Sequence, residues 1–126
     1  MDVAALFVTT QTIQITNPAD GSAIGISVEL ASPDSPQVMA VQRKWQDRLL
    51  SKQGRKLTAD EMHEQVLDLL AAGVVSWTWA DGVTFKGEVP GSDLKSIKAV
   101  LSDPAGAFIA RQIDGALANE AGFFKG

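Results

Sequence analysis

The feature that most constrains the fold is a change in the spacing of apolar residues at positions 32–36. Before this segment, Ile13 and Ile15 alternate with polar residues, and residues 24–30 alternate again after a turn at residues 17–21. Alternation of this kind places apolar side chains on one face of a β-strand. After the segment, apolar residues recur at steps of three and four, as in an amphipathic helix. The chain is therefore predicted to be α+β, with an N-terminal β-hairpin or small antiparallel sheet followed by a mainly helical C-terminal part.

The length of the chain limits how these elements can be organised. With 126 residues and 45% apolar content, the chain can form one ordinary core and is too short for two full-sized domains. We predict a single domain over residues 1–126, β-rich over residues 1–31 and mainly helical over residues 36–126. Residues 3–8 are predicted to add a further strand, because an isolated hairpin is only marginally stable in water.

Two helices are predicted between residues 35 and 73. Ser35 is a good N-cap and Pro36 suits the first helical turn, so the first helix begins there and ends before Gly54. Residues 58–61 form a capping box that starts the second helix, and Gly73 is placed to close its last turn. The predicted buried faces are Val38, Val41, Trp45 and Leu49 on the first helix, and Met62, Val66, Leu69 and Leu70 on the second.

The segment after Gly73 has two interpretations. Residues 74–79 are β-branched and aromatic, Asp81 and Gly82 form a strong turn signal, and residues 83–86 resume the alternation, which favours a short hairpin near residues 74–89. Alternatively, the second helix continues through Trp77, because a short apolar run does not distinguish helix from strand.

Two further helices are predicted towards the C-terminus. Ser92 and Asp93 cap a short helix whose apolar positions are Leu94, Ile97, Val100 and Leu101. A last helix runs from about Pro104 to Ala118, and residues 122–126 are predicted to trail away from it.

The residues that carry most enzyme chemistry are scarce. The chain has no Cys, which excludes disulfides, thiolate zinc sites and cysteine nucleophiles, and it fits a reducing cytosol. His63 and Glu64 begin like a zinc-protease helix motif, but the second His would fall at Leu67. No phosphate loop or dinucleotide glycine pattern is present. We therefore expect no enzyme activity, no cofactor and no metal.

Charge is unevenly distributed along the chain. Residues 1–35 contain no Lys or Arg, whereas six of the eleven cations lie between Arg43 and Lys56, and the net charge is −4. Nucleic-acid binding is not expected at this net charge, and a regulator using the basic stretch would show steeply salt-dependent DNA affinity. The apolar runs are too short to span a membrane, and no basic stretch precedes the N-terminal one, so neither membrane insertion nor secretion is expected.

Five segments occur in an order that resembles a known family. They are Asp34-Ser35 opening a basic helix through Trp45; the capped helix from Thr58 leading into residues 74–77; the Asp81-Gly82 turn; residues 92–94 through 101–104; and Gln112-Ile113 leading to Phe123. Together they are similar to the tail assembly chaperones of long-tailed bacteriophages. The sequence departs from the family at Leu101-Ser102, where Leu-Leu is usual.

The resemblance implies a role in phage tail assembly within the host cell cytoplasm. Such a protein coats the tape measure protein, recruits tail tube subunits, associates with itself and is absent from the finished tail. An amphipathic helix is recognised through anchors at three and four residue steps, so we expect an apolar binding surface. The candidate partner-binding residues are Phe108, Ile109, Ile113, Leu117, Phe123 and Phe124. The alternative is a permanent minor structural protein of the phage head-tail or tail.

Overall fold

The computed structural model describes residues 1–52 and 56–124. Within these residues it contains an antiparallel sheet and four α-helices, and the predicted α+β class is confirmed. The strands are β1 (Thr10–Thr16), β2 (Ala23–Ala31) and β3 (Val74–Trp79), and the helices are α1 (Pro36–Ser51), α2 (Ala59–Gly73), α3 (Leu94–Ser102) and α4 (Ala107–Ala118). Short 3₁₀ turns lie at Val3–Leu6, Pro104–Gly106 and Glu120–Phe123.

The sheet explains the alternating pattern of the N-terminal third. Its strand order is β1-β2-β3, and Ile13, Val28 and Trp77 are aligned across the three strands. These residues belong to or pack against the core, whereas the neighbouring row carries Ser27 and Thr78. One face of an antiparallel sheet can remain in water when the other packs on helices, and this gives alternation of polar and apolar residues.

The core lies between the sheet and helices α2, α3 and α4. Its buried members include Ile26, Val28 and Leu30 from β2, Leu70 and Ala71 from α2, Ile97, Val100 and Leu101 from α3, Ile109 and Ile113 from α4, and Phe123. Because β2 is the central strand, it contributes apolar side chains to the middle of this cluster.

The prediction of a strand at residues 3–8 is wrong. Val3–Leu6 is a 3₁₀ turn, capped by the Asp2 carboxylate, which accepts a hydrogen bond from the Ala4 N–H at 3.0 Å. The third strand is instead β3, which pairs with the free side of β2. A capping Asp favours a turn over an extended strand, because its side chain satisfies a backbone donor locally.

The segment 74–79 is a strand, so α2 does not continue through Trp77. Its predicted hairpin partner, residues 83–86, does not pair with it: β3 pairs with β2, and the Phe85 N–H bonds the Glu88 carbonyl oxygen at 2.7 Å in a tight turn. The chain after β3 returns to the edge of that strand, where the Ser92 hydroxyl contacts the Trp77 N–H and C=O.

The predicted helix starts are close to those observed. The Thr58 capping box is present, with the Thr58 hydroxyl accepting from the Glu61 N–H at 3.2 Å. Ser35 is the N-cap of α1, but its hydroxyl makes no capping hydrogen bond. The cap of α3 is Asp93, whose carboxylate accepts from the Ser96 N–H at 3.1 Å.

The C-terminal segment docks onto the N-terminal segment instead of trailing away. Glu120–Phe123 forms a 3₁₀ turn, and the Val8 N–H donates to the Phe123 carbonyl oxygen at 2.6 Å. The ring of Phe124 meets Phe7 edge to face, with 5.8 Å between the ring centroids. The last two positions of the predicted tail, 125 and 126, lie outside the described residues.

Candidate partner-binding surfaces

The six candidate residues do not form one exposed surface. Ile109, Ile113 and Phe123 are buried in the core, so they cannot contact a partner while the chain keeps this fold. Phe108 and Leu117 are partly buried against the same cluster. Only Phe124 is exposed among the six. The apolar face of the last helix is therefore mainly a core element, which corrects the proposed set.

Polar contacts fix α4 against the sheet. The Gln112 side chain accepts a hydrogen bond from the Thr16 N–H at 2.9 Å and donates one to the Thr16 carbonyl oxygen at 2.8 Å. The Gln11 amide donates to the Ala116 carbonyl oxygen at 3.2 Å. Because strand β1 is at the edge of the sheet, no further strand within the described residues bonds this side of it. The Gln112 side chain instead supplies hydrogen-bond partners to the backbone of Thr16.

A groove of about 230 Å³ lies where α1, α2 and α4 meet. We call it the α1–α2 groove, and its lining residues are Pro33, Val38, Gln42, Leu69, Leu70, Asp114, Leu117 and Ala118. Of the six candidate partner-binding residues, Leu117 lines this groove. Pockets that bind partners are usually apolar with a few polar groups, as this lining is.

Leu117 closes one end of the groove by packing on Gly73. A Cβ at Gly73 would lie 2.9 Å from the Leu117 Cδ1, so the Leu117 side chain would have to shift to accommodate any larger residue. The φ angle of Gly73 is not positive, so Gly73 does not form a left-handed turn at the end of α2. Its small size instead allows close packing of Leu117. The predicted end of α2 at this glycine is therefore correct for a different physical reason.

Beyond the groove, the apolar stripes of α1 and α2 continue without cover. Met62 and Val66 precede Leu70 and Gly73 at steps of four, four and three, so all four residues share one side of α2. Met62 is 51% exposed and Val66 is 52% exposed, which corrects the prediction that they are buried. On α1, Leu49 follows the groove residues Val38 and Gln42 on the same stripe and is 43% exposed.

Polar contacts hold α1 and α2 together beside this surface. The Trp45 Nε1–H donates to the Asp68 carboxylate at 3.0 Å, and the Lys98 ammonium lies 2.5 Å from the other oxygen of that carboxylate. Asp68 therefore links α1, α2 and α3. The Arg48 guanidinium lies 4.7 Å from the centroid of the Trp45 ring.

Glu61 makes the second link between α1 and α2. It pairs with Lys52, and the Arg48 guanidinium lies 3.4 Å from its carboxylate. The hydrogen bond from Lys52, then that from the Thr58 N–H, lower the pKa of Glu61 to about 2. These two links therefore hold α1 against α2 at two points along the pair of helices.

Leu49, Met62 and Val66 are exposed although their spacing predicts a buried face, so the sequence did not indicate them as candidate binding residues. The sequence signal that could have indicated their exposure is the length of the two apolar stripes, which continue past the residues that pack on the core. Each stripe extends towards the end of its helix nearest residues 53–55, and its residues there, Leu49 on α1 and Met62 and Val66 on α2, are exposed.

A second exposed apolar surface lies where the two chain ends meet. Phe7 lines two adjoining hollows of about 210 and 360 Å³, one shared with Phe124 and the other with Val75. The carboxylates of Asp34 and Glu120 also line these hollows, and no Lys or Arg is among the described lining residues. We call this surface the terminal cleft, defined by Phe7, Asp34, Val75, Glu120 and Phe124.

Comparisons with known proteins leave both surfaces without an assigned partner. Neither protein-family models, nor curated proteins, nor solved structures match this chain. Of the helices in the described residues, none combines the length and apolar character needed to cross a membrane. The same residues contain no group of three metal-ligating side chains. The geometry of the two surfaces is therefore the basis for a functional proposal.

Proposed function

We propose that the protein is a tail assembly chaperone of a long-tailed bacteriophage, which binds the tape measure protein and tail tube subunits in the host cytoplasm. It acts by protein binding and carries no catalytic activity. Two lines support this proposal: the order of sequence segments that resembles this family, and a surface suited to an amphipathic helix. In this proposal the helix belongs to the tape measure protein and is bound along the α1–α2 groove.

The uncovered extension of the groove is the observation that carries the proposal. Leu49, Met62 and Val66 continue the stripes that line the groove beside α4, and all three are exposed. A helix of the partner would extend the packing of α4 along the same channel, with anchors at three and four residue steps. Covering the exposed half of these three side chains contributes on the order of 3 kcal/mol.

A co-purification experiment tests the binding surface. The tape measure protein is co-expressed with the wild-type chain or with Val66→Glu, and its soluble, chaperone-bound fraction is measured. A carboxylate on the uncovered extension of the groove has to be desolvated against an apolar helix, so we expect Val66→Glu to lose most of the complex. Val89→Glu is the matched control, because Val89 is 62% exposed and lies outside the groove.

The location of the protein in the assembly process tests the wider proposal. Quantitative mass spectrometry compares purified phage particles with the lysate of the cells that made them. A chaperone is abundant in the lysate and missing from particles. A fixed copy number in particles would instead identify a permanent minor structural protein of the phage head-tail or tail.

A further inference from the structure

We propose that copies of this chain associate head to tail, with the terminal cleft of one copy receiving the basic end of α1 from the next. This inference deepens the proposed function and rests on it in one respect, because the family resemblance implies self-association without indicating which surfaces meet. It rests on three observations: the chemistry of the cleft, the chemistry of the helix end, and the distance between them.

The terminal cleft is apolar in its walls and acidic at its rim. The exposed rings of Phe7 and Phe124 lie beside two carboxylates, Asp34 and Glu120. No described cation lines the cleft, and the first 35 residues contain no Lys or Arg. Such a surface favours an apolar segment that carries positive charge, because complementary charges orient the contact and exclude like-charged partners.

The C-terminal end of α1 has this chemistry. Leu50 is 77% exposed, the highest value among the large apolar side chains of the described helices, and Leu49 beside it is also exposed. Arg43 lies seven residues before Leu50, on the same side of the helix. Arg48 and Lys52 add positive charge at this end, although both also pair with Glu61. We call this surface the helical tip, defined by Arg43, Arg48, Leu50 and Lys52.

The two surfaces lie at opposite ends of one helix. Pro36, the first residue of α1, lines the cleft, whereas Leu50 is one residue from the end of the same helix. Fourteen residues of α-helix span about 21 Å, so the tip cannot reach the cleft of its own chain. A contact between unlike surfaces is heterologous, and if its rotation does not close a ring it produces an open series of oligomers.

Sedimentation velocity of the full chain over a range of concentrations tests the proposal. We expect the wild-type protein to form oligomers that grow with concentration, and to form fewer at about 0.5 M salt than at about 0.05 M, because salt screens the rim charges. A tip variant, Leu50→Glu, and a cleft variant, Asp34→Lys with Glu120→Lys, should each associate at least roughly tenfold more weakly. Val89→Glu, outside both surfaces, should behave as wild type.

Mixing the two variants gives the decisive result. The tip variant retains an intact cleft and the cleft variant retains an intact tip, so the mixture should form 1:1 complexes and no longer species. A wild-type chain that stays a single species at every concentration overturns the proposal, as does a cleft variant that associates like wild type. The experiment contains no tape measure protein, so its failure leaves the groove proposal standing, and failure of the co-purification leaves this one.

Discussion

At the scale of single residues, Gly106 has the least room for a side chain among the described glycines. A Cβ at this position would lie 2.0 Å from the Val100 carbonyl oxygen, which is backbone and cannot rotate away. We therefore expect Gly106→Ala to lower the free energy of unfolding by about 3 kcal/mol, since α3 and α4 must separate to accommodate it. Urea denaturation followed by circular dichroism measures the change.

Gly115 provides the matched control for that substitution. It lies within α4, and a Cβ there would meet nothing within 4 Å. Replacing glycine by alanine inside a helix removes an entropic penalty, so Gly115→Ala should raise the free energy of unfolding by up to about 1 kcal/mol. Equal effects of the two substitutions would show that close approach to Val100 does not matter.

Glu61 gives the protein a pH dependence with a definite sign. Its pKa in the folded chain, about 2, is below the ordinary value of 4.5 because Lys52 and the Thr58 N–H stabilise the carboxylate. A lowered folded pKa adds stability that is complete above pH 4.5 and is lost as the pH falls towards 2. The difference in unfolding free energy between wild type and Glu61→Gln should therefore shrink over this window.

Chemical denaturation at several pH values measures this difference. Glu64→Gln is the control, since Glu64 is an exposed carboxylate on the same helix and makes no ion pair within the described residues. Its difference from wild type provides the baseline for removing an exposed carboxylate from this helix. If the two variants show the same pH dependence, the contacts of Glu61 do not stabilise the fold.

At the scale of elements, Gln112 joins α4 to the edge of the sheet. It uses both its acceptor and its donor on Thr16, so Gln112→Ala should cost about 1–3 kcal/mol by leaving two backbone groups without partners. Gln112→Glu removes the donor and places a carboxylate against the Thr16 carbonyl oxygen. Protonation restores an O–H donor, so the defect of Gln112→Glu should diminish as the pH is lowered.

Thermal melts of wild type, Gln112→Ala and Gln112→Glu between about pH 7 and pH 4 separate these effects. A carboxylate of ordinary pKa becomes protonated near the acidic end of this range. The melting temperature of Gln112→Glu should approach that of wild type in acid, while the deficit of Gln112→Ala should stay nearly constant. A Gln112→Glu deficit that is independent of pH would contradict the paired hydrogen bonds to Thr16.

The elements also show which parts of the fold the sequence predicts. The hairpin of β1 and β2 and the capped starts of the helices follow from local signals, since alternation at Ile13 and Ile15 and the Thr58 cap act within a few residues. The pairing of β3 with β2 does not, because residues 74–79 meet residues 26–30 only through the packing of the whole chain. The apolar run over residues 3–8 suggested a strand, but the Asp2 cap stabilises a 3₁₀ turn at Val3–Leu6 instead.

The binding surfaces were harder to predict because spacing does not distinguish buried stripes from uncovered ones. Ile113 and Val66 both occupy apolar positions on amphipathic helices, yet Ile113 is buried and Val66 is half exposed. The difference depends on which neighbour covers each stripe, and that is a property of the assembled core. Of the six candidate residues, Leu117 lines the α1–α2 groove and Phe124 lines the terminal cleft, and neither is fully buried.

At the scale of the whole molecule, the fold separates residues that stabilise it from residues available to a partner. Ile113→Ala should lower the unfolding free energy by about 2–5 kcal/mol, because it leaves a cavity in the core, yet leave the affinity of the folded protein for the proposed tape measure partner nearly unchanged. Val66→Ala should change stability by less than about 1 kcal/mol and weaken binding roughly tenfold, since it removes two methyl groups from the uncovered extension of the groove.

Parallel unfolding and binding measurements on these two variants test that separation, with Val89→Ala as an exposed control that should alter neither quantity. Binding should be compared at a temperature where every variant is folded, so that loss of stability is not mistaken for loss of affinity. If Ile113→Ala weakens binding as strongly as Val66→Ala, the last helix must leave the core to meet its partner. The partner surface would then be the buried face of α4 and not the groove between α1 and α2.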